Sequence, residues 1–223
     1  MDHGLKPAFK TLAYFMAKGF VGALLFPYFR ISRSGLDRIP KLGGMLVAAN
    51  HISYADPLIL GISIPRRLRF IMAADQFEKR AMHGFSRLMD VIPIRRDGSA
   101  DMGPIRRALR LLKEGQAVAI FPEGQRSRTG TLQQPAGGLG LLAVKAGVPV
   151  VPVAIIGTRE AYPPGKHFPR PKKVRIIVGE PMSFPKNAGA EEVALKTWEA
   201  IAALFKAEGR EDYLGQNSND GPG

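Results

Sequence analysis

The chain has 223 residues, 45% of them hydrophobic, with 32 Lys and Arg against 19 Asp and Glu and a formal net charge of +13. That length suits one domain with a short appendage, and the apolar fraction excludes a disordered chain. There is no cysteine, which excludes disulfides, thiolate metal sites and a cysteine nucleophile and fits a reducing compartment, while the excess charge calls for an anionic partner: nucleic acid, anionic lipid or a phosphorylated substrate.

The first element is the run Thr11–Phe29, TLAYFMAKGFVGALLFPYF, whose only charge is Lys18. As a helix it covers about 28 Å, near the hydrocarbon thickness of a bilayer. Lys18, Pro27, Gly19 and Gly22 count against a clean span, and no small-residue cleavage site follows. Lys6, Lys10, Arg30 and Arg33 flank it. The pattern predicts a helix in the membrane interface, or a helix pair broken near Gly19, with cations against lipid phosphates. The alternative is a helix packed on the domain's own core.

Globular sequence begins near Ile31. Met45–Ala49 reads as a buried strand, and Asp56-Pro57 opens a helix with Asp at the N-cap. Arg69–Ala73 is a second strand, Phe77–Met89 a helix, and Val91–Ile94 a short strand. Asp101–Glu114 is an amphipathic helix, apolar at Ile105, Ala108, Leu109 and Leu112, basic at Arg106, Arg107, Arg110 and Lys113, and stopped by Gly115. Ala117–Phe121 is a strand, Leu139–Ala146 a helix, Val148–Ile156 and Val174–Val178 strands, and Ala190–Ala207 a long helix holding Trp198. The two prolines of Val148–Ile156 predict an edge strand or one interrupted by a bulge. From Glu208 the polar tail reads as disordered. Strands alternate with helices and are continuously apolar. The prediction is one α/β domain over 31–207 with a mixed, mostly parallel sheet flanked by helices, after a membrane-associating segment 1–30 and before a tail 208–223.

Three strings follow strands and could carry chemistry. In Asn50-His51-Ile52-Ser53-Tyr54-Ala55-Asp56, the imidazole sits at the strand end where α/β sheets place their crevice. A carboxylate five positions on can return to one ring nitrogen and leave the other as a base for a hydroxyl. Val91–Asp97 (VIPIRRD) offers Arg95 and Arg96 as a phosphate clamp. Phe121–Arg128 (FPEGQRSR) combines Glu123, which could orient a hydroxyl or hold an arginine, with Gly124 for close backbone approach and Arg126 as a fixed cation. Gly138-x-Gly140-x-x-Ala143 matches a degenerate dinucleotide fingerprint but follows no strand, and is read as a decoy.

These strings, followed by Val148–Val153 (VPVVPV), resemble in this order the glycerolipid acyltransferases, above all the lysophosphatidic acid acyltransferase (1-acylglycerol-3-phosphate O-acyltransferase) family. The resemblance runs from about Ile31 to Ile177 and includes that family's His-x4-Asp motif. It implies that His51 deprotonates the acceptor hydroxyl and that Asp56 orients and charges it. It implies direct attack on the thioester of acyl-carrier protein or acyl-CoA, with no acyl-enzyme and no cofactor or metal. Arg95, Arg126 and Glu123 would hold the glycerophosphate head, and Gly124 would let the chain pass close to it. The block with Pro149 and Pro152 would lie near the acyl donor. The product would be phosphatidic acid, made at the cytoplasmic face of an anionic membrane.

Two departures bear on the acceptor: Gln125 stands where the family string has Thr, and Pro135, Ala136 and Gly137 replace the usual Phe and Lys residues. They leave open another lysolipid, such as a lyso-ornithine lipid, or glycerol 3-phosphate. Two other readings compete. A catalytically idle lipid-binding relative is opposed by the intact His51/Asp56 pair. A nucleic-acid-binding module would use Arg66-Arg67-Leu68-Arg69, Arg106–Arg110 and Arg170–Arg175, yet no aromatic platform is interleaved with these runs, and no nucleic acid is expected.

Overall fold

The computed structural model describes residues 7–73, 91–94, 102–136, 138–166 and 168–215. Helix α1 (Pro7–Tyr28) leads into the edge strand β1 (Ser32–Ser34), followed by β2 (Met45–Ala49), α2 (Asp56–Ser63), β3 (Leu68–Ala73) and β4 (Ile92–Ile94). Next come α3 (Gly103–Lys113), β5 (Ala117–Ile120), α4 (Gly138–Ala146), β6 (Val150–Ile156) and the one-turn α5 (Thr158–Ala161). Strand β7 (Arg175–Val178), α6 (Ala190–Ala207) and a 3-10 turn at Glu211–Tyr213 complete the described chain. The expected helix Phe77–Met89 and the pair Arg95-Arg96 lie outside the described residues.

The described strands form one sheet in the order β1-β7-β6-β2-β5-β3-β4. β6, β2, β5, β3 and β4 run parallel, β7 is antiparallel to β6, and β1 runs parallel to β7. This is the mixed, mostly parallel α/β sheet that the sequence predicts. Every residue of β2 and β6 is buried, as continuous apolar runs at the centre of a two-faced sheet should be. One face packs on α1 and α2 through Tyr14, Ile59, Leu60 and Phe70. The other packs on α3, α4 and α6 through Leu112, Leu142, Val193 and Phe205.

β6 is an interior strand, not an edge, despite Pro152. It also runs without the expected interruption over Val150–Ile156, because the extra residue that accommodates the proline lies in the stretch it pairs with. β6 pairs Val153 with Val178 but Val150 with Met182, so the chain leaving β7 takes one residue more than β6. Pro152 sits in that gap and still accepts a hydrogen bond at its carbonyl from the Gly179 N–H (2.8 Å). Gly140 of the dinucleotide-like string serves helix packing. A Cβ there would lie 1.8 Å from the Ala190 carbonyl oxygen, so only glycine lets α4 meet the start of α6.

Helix α1 is unbroken through Gly19, contrary to the expected interruption. It ends in a Schellman motif, with Ile31 N–H on the Phe26 carbonyl, Arg30 N–H on the Pro27 carbonyl, and Arg30 at φ 45° where glycine is usual. One side packs on the domain through Tyr14, Val21, Leu25 and Phe26, and the Lys18 ammonium caps the Ile64 carbonyl. The opposite side exposes Leu12, Phe15, Met16, Phe20 and Leu24. One face of the helix therefore packs on the core, and the opposite face is left apolar and exposed, as contact with a membrane would require.

The tail from Glu208 departs from expected disorder as far as Gly215. Tyr213 is buried, stacks on Phe205 at 4.9 Å, and donates its hydroxyl hydrogen to Glu160. Arg210 pairs with both Glu160 and Asp212. The polar composition hid one aromatic anchor.

Candidate active site

Strands β2 and β5 are neighbours, and their carboxyl ends deliver His51 and Phe121–Glu123 to the same place. Asn50 fixes the exit of β2: its amide donates to the Ile155 carbonyl (3.0 Å), and its oxygen accepts the Ile155 N–H (2.7 Å). The chain then turns so that Asp56 folds back on the loop. One oxygen, Asp56 Oδ2, accepts the backbone N–H of Ile52 (2.7 Å) and of Ser53 (2.7 Å) and lies 3.0 Å from His51 Nδ1. Asp56 is therefore not the N-cap of α2. Ala55 holds that position, and the carboxylate, at the first helical residue, serves the preceding loop instead. Asp56 is fully buried and His51 nearly so (5% exposed). A buried carboxylate with three donors on one oxygen holds the ring with its proton on Nδ1, leaving Nε2 as the nitrogen that Asp56 does not engage.

The imidazole lies on Phe121, with centroids 4.2 Å apart and planes 20° from parallel. Its backbone is clamped as well. The Ser127 N–H donates to the His51 carbonyl (2.7 Å), and the His51 N–H donates to Glu123 Oε1 (2.8 Å). Glu123 Oε2 accepts the Gln133 N–H (3.2 Å), and the Gln133 carbonyl accepts the indole N–H of Trp198 (2.8 Å). Both oxygens of Glu123 thus face backbone donors, where the sequence suggested a headgroup, a hydroxyl or an arginine. Burial pushes the Glu123 carboxyl up to about 8, against the pull of those two N–H groups, and the nearby charge of Asp56 adds to the rise.

Gly124 adopts φ 68°, a left-handed turn that side chains resist, and bonds back to the Phe121 carbonyl. The turn carries Arg126 out over the Tyr54 ring, 4.1 Å from its centroid. Arg126 is half-buried and Tyr54 exposed. The cation therefore stands over the His51–Asp56 loop. Of the candidate residues, His51, Asp56, Glu123, Gly124 and Arg126 come together, while Arg95 lies outside the described residues. Sequence reasoning missed Gln133, Ser127 and Tyr54 as supports, because their contacts join separate segments or use the backbone and leave no spacing signal.

Beside the imidazole opens a pocket of about 240 Å3, with His51 in its wall and Ile71, Met72, Ile94, Ile120, Phe121 and Leu139 around it. The described lining is apolar except at His51 and backbone, which suits a hydrocarbon chain ending near the ring.

The crevice of this α/β sheet thus sets a carboxylate-held imidazole beside an apolar slot and near an arginine, a site able to activate a hydroxyl. Comparison with known proteins agrees. The chain belongs to the Acyltransferase family, whose model matches residues 30–156. It is similar to a chloroplastic 1-acyl-sn-glycerol-3-phosphate acyltransferase of Arabidopsis thaliana, 30% identical over 81% of this chain and 51% of that one. A 1-acyl-sn-glycerol-3-phosphate acyltransferase of Bacillus subtilis is 27% identical over 77% of this chain and 80% of that one. The chain spans about half the length of the chloroplastic relatives it matches. Among solved structures, the 1-acyl-sn-glycerophosphate (LPA) acyltransferase PlsC of Thermotoga maritima superposes with a TM-score of 0.69 at 25% identity, covering 91% of this chain and 88% of that one.

Proposed function

We propose that this chain is a 1-acylglycerol-3-phosphate O-acyltransferase, moving a fatty acyl group from an acyl-carrier-protein or CoA thioester to the sn-2 hydroxyl of lysophosphatidic acid. The observation that carries this reading is the buried Asp56–His51 pair at the wall of an apolar pocket. The names of the relatives supply the acceptor. His51 Nε2 takes the hydroxyl proton as the oxygen attacks the thioester carbonyl. The carbon–sulfur bond then breaks, and the proton passes to the departing thiolate. Atoms balance with the two substrates alone. Asp56 stabilises the imidazolium that forms between these steps. Arg126 binds the acceptor phosphate, with Arg95 as its expected partner. Glu123 positions the His51 backbone and Gly124 shapes the turn. The exposed apolar face of α1 lies on the membrane, at the cytoplasmic leaflet where the lipid acceptor resides.

The departures at Gln125 and Pro135-Ala136 keep another lysolipid as a second reading. An acceptor panel decides between them: purified protein, one radiolabelled acyl donor, and lysophosphatidic acid, lyso-ornithine lipid, lysophosphatidylcholine and glycerol 3-phosphate in parallel. Label should enter phosphatidic acid. Label in a different lipid only, or in none, overturns the assignment.

A further inference from the structure

Helix α3 carries four cations in eleven residues and no acid, with its apolar side sealed into the core through Ala108 and Leu112. Arg106, Arg110 and Lys113 recur at helical spacing on one exposed face, with Glu114 reaching Arg110 only at 4.0 Å. Neither the catalytic loop nor the Arg126 site uses this face. From Arg106 to Lys113 the stripe is about 10 Å long, more than one phosphate group needs.

Its place in the fold selects the partner. The exposed apolar side of α1 belongs to the layer on one face of the sheet, while α3 lies in the layer on the opposite face. With α1 against lipid, the α3 stripe is turned toward water. Helix α4, beside α3, adds the exposed Lys145, whereas Glu191, Glu192 and Glu199 of that layer sit on α6. Helix α3 also packs on β4 and β5, which line the pocket through Ile94 and Ile120. A water-facing basic ridge next to the acyl pocket suits a soluble acidic protein carrying its acyl group on a flexible thioester arm.

We propose that the outer face of α3 docks an acidic acyl-carrier protein and steers its thioester to the pocket beside His51. This rests on the transferase reading above. Charge complementarity at such a rim changes association and salt dependence more than chemistry.

The test uses the full chain with lysophosphatidic acid and two donors carrying the same acyl group, acyl-carrier-protein thioester and acyl-CoA. In Arg106→Glu/Arg110→Glu, KM for the carrier-protein donor should rise about tenfold or more, with kcat and the KM for acyl-CoA within about twofold of the parent. Added salt should raise the carrier-protein KM of the parent and have little effect on that of the variant. Thermal melting checks the fold. Should the charge reversal unfold the chain, Arg106→Gln/Arg110→Gln must show the same donor selectivity at smaller amplitude. The proposal is overturned if both donors are impaired equally, if neither is, if the parent does not use the carrier-protein donor, or if the variant instead loses binding to anionic vesicles. Failure of the transferase reading looks different: no donor would then give turnover dependent on lysophosphatidic acid.

Discussion

Replacing Asp56 by Asn separates the two jobs its carboxylate performs. The amide oxygen can occupy the Oδ2 position and keep all three donors, Ile52 N–H, Ser53 N–H and His51 Nδ1. Ring orientation and tautomer should therefore survive, and what disappears is the negative charge. At 3.0 Å and an effective dielectric of about 20, a full imidazolium–carboxylate attraction is ~5–6 kcal/mol. With the proton half transferred, about 3 kcal/mol of transition-state stabilisation is lost, a fall in kcat of about a hundredfold. The new amide nitrogen falls where Oδ1 is already buried without a hydrogen-bond partner, so the substitution breaks no hydrogen bond at that position. The assay is kcat at saturating acceptor and donor, with a thermal melt as control and KM for the acceptor expected within about threefold of the parent. A folded Asp56→Asn enzyme with parental kcat would refute the electrostatic role and leave Asp56 as a loop brace alone.

Three further outcomes follow from the geometry. Glu123, raised to about 8, keeps a proton in the folded state that an ordinary carboxyl loses near 4.5, so its stabilising effect is present at low pH and is lost as pH climbs through 8. Urea unfolding should show the parent losing about 2–3 kcal/mol between pH 6 and 8.5, with Glu123→Gln lacking that slope; equal slopes would contradict the raised carboxyl. Tyr54→Ala removes the ring under Arg126, worth about 1 kcal/mol, and should raise KM for the phosphorylated acceptor about fivefold at constant kcat; an altered kcat with unchanged KM would contradict it. Met16→Asp/Phe20→Asp places charges on the exposed face of α1 and should lower pelleting with anionic vesicles by more than tenfold; undiminished pelleting would move lipid contact elsewhere.

Much of this was legible because the signals are local. Met45–Ala49 and Ala190–Ala207 fall where apolar runs and periodicity put them, and the His51–Asp56 pairing is one that the five-residue spacing at a strand-to-helix junction allows. What failed is long-range or uses polar residues. Ser32–Ser34 is an exposed edge strand with no apolar pattern, formed because Ser32, Arg33 and Ser34 align with Arg175–Ile177. The interior place of β6 depends on a bulge after Val178, some 25 residues along the chain from Pro152. The contacts of Glu123 with the backbone of His51 and Gln133 are not readable, because a backbone donor has no letter in the sequence. Tyr213 looks solvated until Phe205 and Glu160 are brought to it.

The central claim is that His51 activates a lipid hydroxyl for direct attack on a thioester. It is tested most directly by following thiol release from an acyl donor, with and without lysophosphatidic acid, in the parent and in His51→Ala. The account predicts release in the parent only when the acceptor is present, and none above background in a folded His51→Ala protein. Acceptor-dependent release at the parental rate by His51→Ala would contradict it.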